Sequence, residues 1–538
     1  MSGAIEADII VVGGGSAGCA MAARLSERGD VSVLLLEAGR SDRHPFTRIP
    51  AANIKAVQNP DFDWCYKAEP DPSIGGRADV WAAGKVLGGG SAINGMIYIR
   101  GHARDYDRWA ELGATGWDHA SVLPYFRRLE TNERGADDHR GGDGPLAVSE
   151  GRARYPITDA WIDAAVEAGI PRSPDLNGAS AEGVDHIQVS QKGGWRHSTA
   201  AAYIWPNIRR PNLTVELNAV SSRILFEGKR ATGVEYEQGG EVKRAVARRG
   251  VVVCAGAMNS PRLLMLSGIG PAAHLTAMGV PVVHDLPGVG ANLQDHVGSH
   301  LVNAVSGKTL NVDVGGLNGI KHLCGFGLGR RGALTTSIGH AQALVKTRDH
   351  LRAPNVQLAF APLAFDLDAQ GKIVLRKEPS VSTAIAVLHP KSRGTVTLRA
   401  PDPKAPPVIT HQLLGEEDDL TQMVEGFAIA RRIMAQPAIA RYVRSEVRPA
   451  TAEEDAEGLR MMARMTSTTF YHPVGTCRMG QDDMAVVDPD LRVRGVDGLW
   501  VADASIMPAL VAGNTNATAI MIGDKGSAHV LKTLTNRA

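Results

Sequence analysis

Asp8-Ile9-Ile10-Val11-Val12-Gly13-Gly14-Gly15-Ser16-Ala17-Gly18 is the stretch on which the fold turns. Four β-branched residues in a row read as a strand buried on both faces, and the alanine- and leucine-rich run that follows to Leu25 reads as a helix. Between them the glycines stand at the spacing of a dinucleotide-binding turn. Gly13 permits the tight turn, Gly15 lets the backbone approach a pyrophosphate, and Gly18 lets helix and strand pack closely. Ser16 and Ala17 open the helix, whose free N–H groups and dipole face the phosphates. A second strand, Val31 to Leu36, ends in Glu37, followed by Ala38. The Glu37 carboxylate is placed to accept hydrogen bonds from an adenosine ribose, and it would repel a 2′-phosphate.

The same glycine spacing recurs at Gly327, Gly329 and Gly332. No β-branched strand precedes it, and Arg330 and Arg331 sit inside it, so that stretch is expected to be a surface loop. A different glycine-dense segment lies within Trp81 to Arg100, where Gly84-Lys85-Val86-Leu87-Gly88-Gly89-Gly90-Ser91-Ala92-Ile93-Asn94-Gly95-Met96 is too long and too apolar for a simple turn. Such a segment lets backbone come close to something flat, although a glycine-rich bend between strand and helix would read alike.

At 538 residues the chain exceeds what one compact core supports, so two or more domains are expected. Hydrophobic residues at 44% and charged residues at 21% are ordinary globular composition. Lys plus Arg at 58 against Asp plus Glu at 57 leaves no electrostatic footprint for nucleic acid or an anionic membrane. Cys19, Cys65, Cys254, Cys324 and Cys477 are odd in number and scattered, which fits neither a disulfide framework nor a zinc site, so no metal is expected and a cytoplasmic location is. Met1 to Asp8 has no apolar core of a secretory signal, and no apolar run approaches a membrane span.

Several separated stretches closely resemble the glucose-methanol-choline (GMC) flavin oxidoreductase family, most strongly its choline dehydrogenase-like branch. Gly84 to Gly101, continued by His102-Ala103-Arg104-Asp105-Tyr106-Asp107 and Trp109, is similar to the family's first signature, and Gly256-Ala257-Met258-Asn259-Ser260-Pro261 through Pro271 to its second. Tyr471-His472-Pro473-Val474-Gly475-Thr476-Cys477-Arg478-Met479-Gly480, Asp503-Ala504-Ser505-Ile506-Met507-Pro508 and Gly513-Asn514-Thr515-Asn516 carry the likeness to the end of the chain. The resemblance implies an α/β fold, α+β overall, with a Rossmann-type FAD-binding domain and an inserted substrate domain built on an antiparallel sheet. The FAD domain is expected over 1–155, 206–312 and 466–538, and the substrate domain over 156–205 and 313–465. FAD would lie with its isoalloxazine against Asn94, Gly95 and Met96 and its adenosine near Glu37 and Val220, while Asp503, Ala504 and Asn516 complete the cradle. Trp81, Val86 and Gly90 of the first-signature segment join the implied cofactor set. Some relatives attach FAD through a histidine in this loop; Ile93 stands there, so non-covalent FAD is expected.

Oxidising an alcohol requires a base for the hydroxyl proton and an acceptor for the hydride. Imidazole, with a pKa near neutrality, suits the first task and flavin N5 the second. His472 is the candidate base, because Pro473 and the Val474-Gly475 bend would fix it on a loop. Asn514 resembles the second member of the family's His–Asn pair, which hydrogen-bonds the substrate oxygen; its bland alternative is a cap for the helix that follows. That helix, starting near Asn514, would aim its positive end at the flavin. The expected reaction is a primary alcohol to an aldehyde, with oxygen or a separate acceptor taking the electrons. An FAD-containing lyase or photodecarboxylase of the same fold is the alternative, and an NAD protein without flavin a third reading. Aromatic residues at 5% give no obvious cage for a quaternary ammonium. A monomer or homodimer is expected. Met461, Met462 and Met465 at helical spacing are expected in the core, and Thr395-Val396-Thr397-Leu398 is expected as a strand of the substrate-domain sheet.

Overall fold

A computed structural model describes residues 5–367, 373–451 and 455–535. Two seven-stranded sheets organise it. In the first, Ile5–Val12 pairs in parallel with Val33–Leu36 on one side and with Glu241–Val253 on the other. Leu213–Glu216 extends the parallel run beyond Val33–Leu36, and Leu499–Val501 joins at Val251–Val253. Arg230–Gln238 and Val220–Glu227 then add antiparallel strands at that end. Ile9–Val12, Val33–Leu36 and Val251–Val253 are all buried, as strands covered on both faces must be. The helices Ser16–Leu25 and Asn516–Thr535 lie side by side. A Cβ on Gly523 would stand 2.2 Å from the Ala17 carbonyl oxygen, so only glycine permits that approach. Arg24 Nε donates to buried Asp524 at 2.7 Å across the same contact.

The second sheet is antiparallel, in the order Val443–Arg448, Val297–Val305, Ser380–Val387, Val356–Ala361, Ala341–Val345, Gly183–His186, with Thr468–Thr469 paired to Val297–Gly298. Side chains alternate across it. Val356, Leu358, Phe360, Val381 and Ile385 pack in one core with Met423, Phe427 and Ile433 of the helix Glu417–Met434. The opposite face, with Gln357, Ala359, Ala361, Ser382 and Ala384, lines a cavity.

Three expectations are corrected here. Val297–Val305 and Thr468–Thr469, expected within the segments 206–312 and 466–538 of the first domain, belong to the second sheet. Sheet membership is a property of pairing across the fold, and nothing local in Val297–Val305 records which sheet the strand joins. Thr395–Thr397 pairs only with Val408–Thr410, in a separate two-stranded ribbon. Gly327 and Gly329 lie in the exposed helix Gly316–Gly329, which ends at Arg330 in the left-handed conformation, φ 50°, so the expected surface position holds but the loop does not. Among the described residues no helix is long and apolar enough to cross a membrane.

Candidate active site

A cavity of about 1630 Å³ takes its walls from both sheets. At one end stands the glycine turn. Gly13 adopts φ 101°, and a Cβ there would lie 2.5 Å from the Cys254 carbonyl oxygen; a Cβ on Gly18 would lie 1.8 Å from the Gly13 oxygen. No side chain caps the helix Ser16–Leu25, so the N–H groups of its first turn have no side-chain acceptor where Gly15, Ser16 and Ala17 line the cavity. Ser16 Oγ donates to Asn516 Oδ1 at 2.7 Å, which brings two helix starts together at this wall. Glu37, buried, accepts from Gly14 N at 2.8 Å and Gly39 N at 2.7 Å. Burial pushes its pKa up, and these two N–H donors oppose the rise. One lone pair on each oxygen is left for a hydroxyl.

Further along, the turn Ser91 to Met96 is tied from behind by Arg196, whose guanidinium donates to Ser91 O at 3.1 Å, Asn94 Oδ1 at 2.8 Å and Asn94 O at 2.6 Å. Arg196 has no carboxylate among these partners, and burial pulls its pKa down to about 9. Asp503 accepts from Gly256 N, Ser505 N and Ser260 Oγ, locking the loop after the last parallel strand.

His472 and Asn514 meet on the same cavity, with Asn514 Nδ2 3.0 Å from His472 Nε2. Two backbone features aim the imidazole. Tyr471 sits at φ 61°, and His472 N donates to Asp295 Oδ1 at 2.7 Å. Asp295 also accepts from Thr469 Oγ1, and burial raises its pKa to about 7. The other face of the ring meets His296, Nδ1 to Nδ1 at 2.9 Å, and His296 Nε2 stands 3.1 Å from the Leu388 carbonyl oxygen. A carbonyl only accepts, so His296 carries its proton on Nε2 and offers Nδ1 as acceptor. His472 therefore donates from Nδ1 and keeps its lone pair on Nε2. Burial lowers the pKa of His472 to about 4, and burial together with the charge of its neighbours holds His296 well below 6.5. Gln357 Nε2 donates to Gln342 Oε1 at 2.7 Å and, at a longer 3.5 Å, to Asn514 Oδ1, which orients the amide so that its Nδ2 faces His472. The loop carrying Asn514 is anchored by Ala512 N donating to Asp105 Oδ2 at 2.7 Å.

Of the residues singled out in the sequence, His472, Asn514, Gly13, Gly15, Ser16, Ala17, Glu37, Ala38, Gly90, Asn94, Gly95, Met96, Val220, Asp503, Ala504 and Asn516 all line this one cavity. Gly18, Trp81 and Val86 do not. Gly18 serves the close approach of helix and strand, and Trp81 and Val86 are buried behind the wall, the indole beside His411. Asn514 spends its side chain on His472 and Gln357 instead of capping the helix, which starts at Asn516. Met461 and Met465, expected in the core, are 60% and 49% exposed, and Met465 stands on the cavity wall. Cys477 is buried with its thiol pKa pushed well up, the state of an inert thiol. Asp295, His296, Gln357, Gln342 and Arg196 were missed. The polar pair Asp295-His296 ahead of the apolar Val297–Val305 run was the one available signal, and nothing local joins it to His472.

The GMC oxidoreductase family models match residues 7–298 and 390–523. The chain belongs to the GMC oxidoreductase family. It is 41% identical to an oxygen-dependent choline dehydrogenase of Rhizobium etli over 98% of this chain and 96% of that protein, and 40% identical to one of Brucella suis over the same shares. Among solved structures it is similar to pyridoxine 4-oxidase from Mesorbium loti, with TM-score 0.88, 30% identity and coverage of 97% and 98% of the two chains. A fungal aryl-alcohol oxidase gives TM-score 0.83 at 25% identity, covering 98% and 99%. This GMC oxidoreductase is an FAD-dependent enzyme acting on CH–OH groups. Its residues fit that cofactor: the uncapped helix start suits a pyrophosphate, the glycine turns leave room for a flat ring system, and the cavity exceeds the roughly 300–1,000 Å³ of a single-ligand site.

Proposed function

We propose that the enzyme oxidises a primary alcohol to an aldehyde, with His472 Nε2 accepting the hydroxyl proton and the Asn514 amide donating a hydrogen bond to the same oxygen. The observation that carries this is the chain of hydrogen bonds from the Leu388 carbonyl through His296, which leaves the Nε2 lone pair of His472 on the cavity side beside Asn514. An amide donor stabilises a developing alkoxide without itself titrating. FAD, when bound, supplies the acceptor for the hydride. Gly13, Gly15, Ser16, Ala17, Glu37 and Val220 would hold its dinucleotide half, and Asn94, Gly95, Met96, Asp503, Ala504 and Asn516 the ring end, without a covalent link because Ile93 has no nucleophile. Oxygen as the electron acceptor is supported by the names of the choline dehydrogenase relatives. The five free cysteines support a cytoplasmic setting.

The test is anaerobic addition of primary alcohols, choline included, to the yellow purified protein. Loss of the flavin colour, followed by oxygen uptake on admitting air, is expected with at least one alcohol. A protein that stays yellow with all of them contradicts the proposal.

A further inference from the structure

Resting on the reading of His472 and Asn514 just given, we propose that the substrate is an uncharged alcohol with an extended apolar body, seated in an alanine-floored trough along the second sheet. The register defines the trough. Gln357, which reaches Asn514, lies opposite Ala386; the next residues facing the same way are Ala359, opposite Ala384, which is in turn opposite His300; the next are Ala361, Ser382 and Val302. Same-face neighbours along a strand are about 6.6 Å apart, so the floor runs about 13 Å from the Gln357 row to the Ala361 row. An extended chain advances roughly 3.5 Å per three bonds, so that length matches about eleven bonds of an alkyl chain.

Apart from the imidazole of His300, whose pKa burial lowers to about 4, the floor is apolar in effect. Ala359, Ala361, Ala384 and Val302 offer only methyl groups, while Ser382 Oγ donates to Leu363 O at 2.8 Å and Gln357 to Gln342 at 2.7 Å. Three of the carboxylates on the cavity wall are occupied: Asp366 pairs with Arg376 at 2.9 Å and stands 3.6 Å from Arg448, and Glu37 and Asp503 hold backbone N–H groups at the glycine end. Asp79 stands 3.8 Å from Arg77, beyond hydrogen-bond distance, and its Oδ2 is buried without a hydrogen-bond partner. The three floor strands themselves offer a trimethylammonium group no carboxylate, and Arg448 would repel it. The rim tells the same way: Ile54, Val314, Leu323, Ile338, Leu375 and Met465 are each 40–63% exposed, and all six line the cavity. An apolar rim of this extent favours entry of an alkyl or aryl body out of water.

The experiment uses the FAD-loaded enzyme and straight-chain primary alcohols from butanol to dodecanol, with choline and ω-hydroxydecanoate alongside. For flavin reduction, kcat/KM is expected to rise two- to fourfold per methylene until the trough is filled. Decanol is expected to exceed choline at least 100-fold. Filling the floor with Ala359→Phe, or from the neighbouring strand with Ala384→Leu, is expected to lower the decanol-to-butanol ratio at least tenfold, and the two variants guard against a folding defect in either. The separate binding readout is the thermal shift given by butyl, hexyl and decyl methyl ethers, which cannot be oxidised at a hydroxyl. If no alcohol reduces the flavin, the catalytic reading falls, yet a shift growing with chain length still upholds the trough. Choline or ω-hydroxydecanoate outperforming decanol, or shifts independent of chain length, would overturn it.

Discussion

His472 and His296 face each other Nδ1 to Nδ1 at 2.9 Å, and one proton lies between them. The Leu388 carbonyl decides which ring owns it, because His296 must donate to that oxygen from Nε2. His296 is thus a positioning residue: it touches no substrate but fixes the tautomer that leaves His472 Nε2 unprotonated.

Replacing His296 should therefore change a pH profile and not only a rate. With His472 at about 4, the acid limb of kcat/KM in the parent enzyme is expected between pH 4 and 5, the neutral imidazole being the active form above it. His296→Phe removes the acceptor for the Nδ1 proton. Flavin reduction is expected to slow about tenfold or more with the limb displaced, and His296→Gln, whose amide oxygen still accepts, to recover part of both. A slowed His296→Phe enzyme with an unmoved limb would make the residue merely structural.

Arg196 should govern how firmly the cofactor is held. It is buried without a carboxylate and ties the Ser91–Asn94 turn through three hydrogen bonds. Arg196→Met leaves those acceptors unpaired, at about 1–3 kcal/mol for each buried group. FAD affinity, followed by flavin fluorescence during reconstitution, is expected to weaken at least tenfold. Equal affinity in both proteins would remove Arg196 from that role.

Buried neutral histidines should make the fold acid-sensitive at unusually mild pH. Burial lowers the pKa of His197, His300 and His472 to about 4 and of His340 to about 3. Their unfolded counterparts titrate near 6.5, so between 6.5 and 4 the unfolded chain binds more protons and stability falls as pH falls. Asp295, raised to about 7, acts in the opposite sense over the same range, as do Glu37, Asp63, Asp185 and Asp419, which burial also raises, while His102, His119, His284, His296 and His529, lowered by burial, add to the histidine side. Melting temperature is expected to drop steadily from pH 6.5 to pH 4.5; a flat profile contradicts the neutral burial of these rings.

The cofactor end was legible because its requirements are local. A β-branched run, a turn that admits only glycine at Gly13 and a helix opening at Ser16 are contiguous in the chain, and each constrains its neighbours. His472 and Asn514 were legible through motif resemblance. Their partners were not, because His296 lies 176 positions from His472 and Gln357 157 from Asn514, and nothing local records a pairing across strands. The same limit explains Val297–Val305, whose composition suits either sheet. Met461 and Met465 show the converse: helical spacing marks a face, but not whether that face meets a core or an open cavity.

The central claim, that His472 is the base, is tested most directly by anaerobic stopped-flow measurement of flavin reduction in the parent and in His472→Ala, both loaded with FAD and saturated with the same alcohol. The variant is expected to retain the flavin spectrum and to reduce about 100- to 10,000-fold more slowly. Reduction at the parental rate would contradict the account.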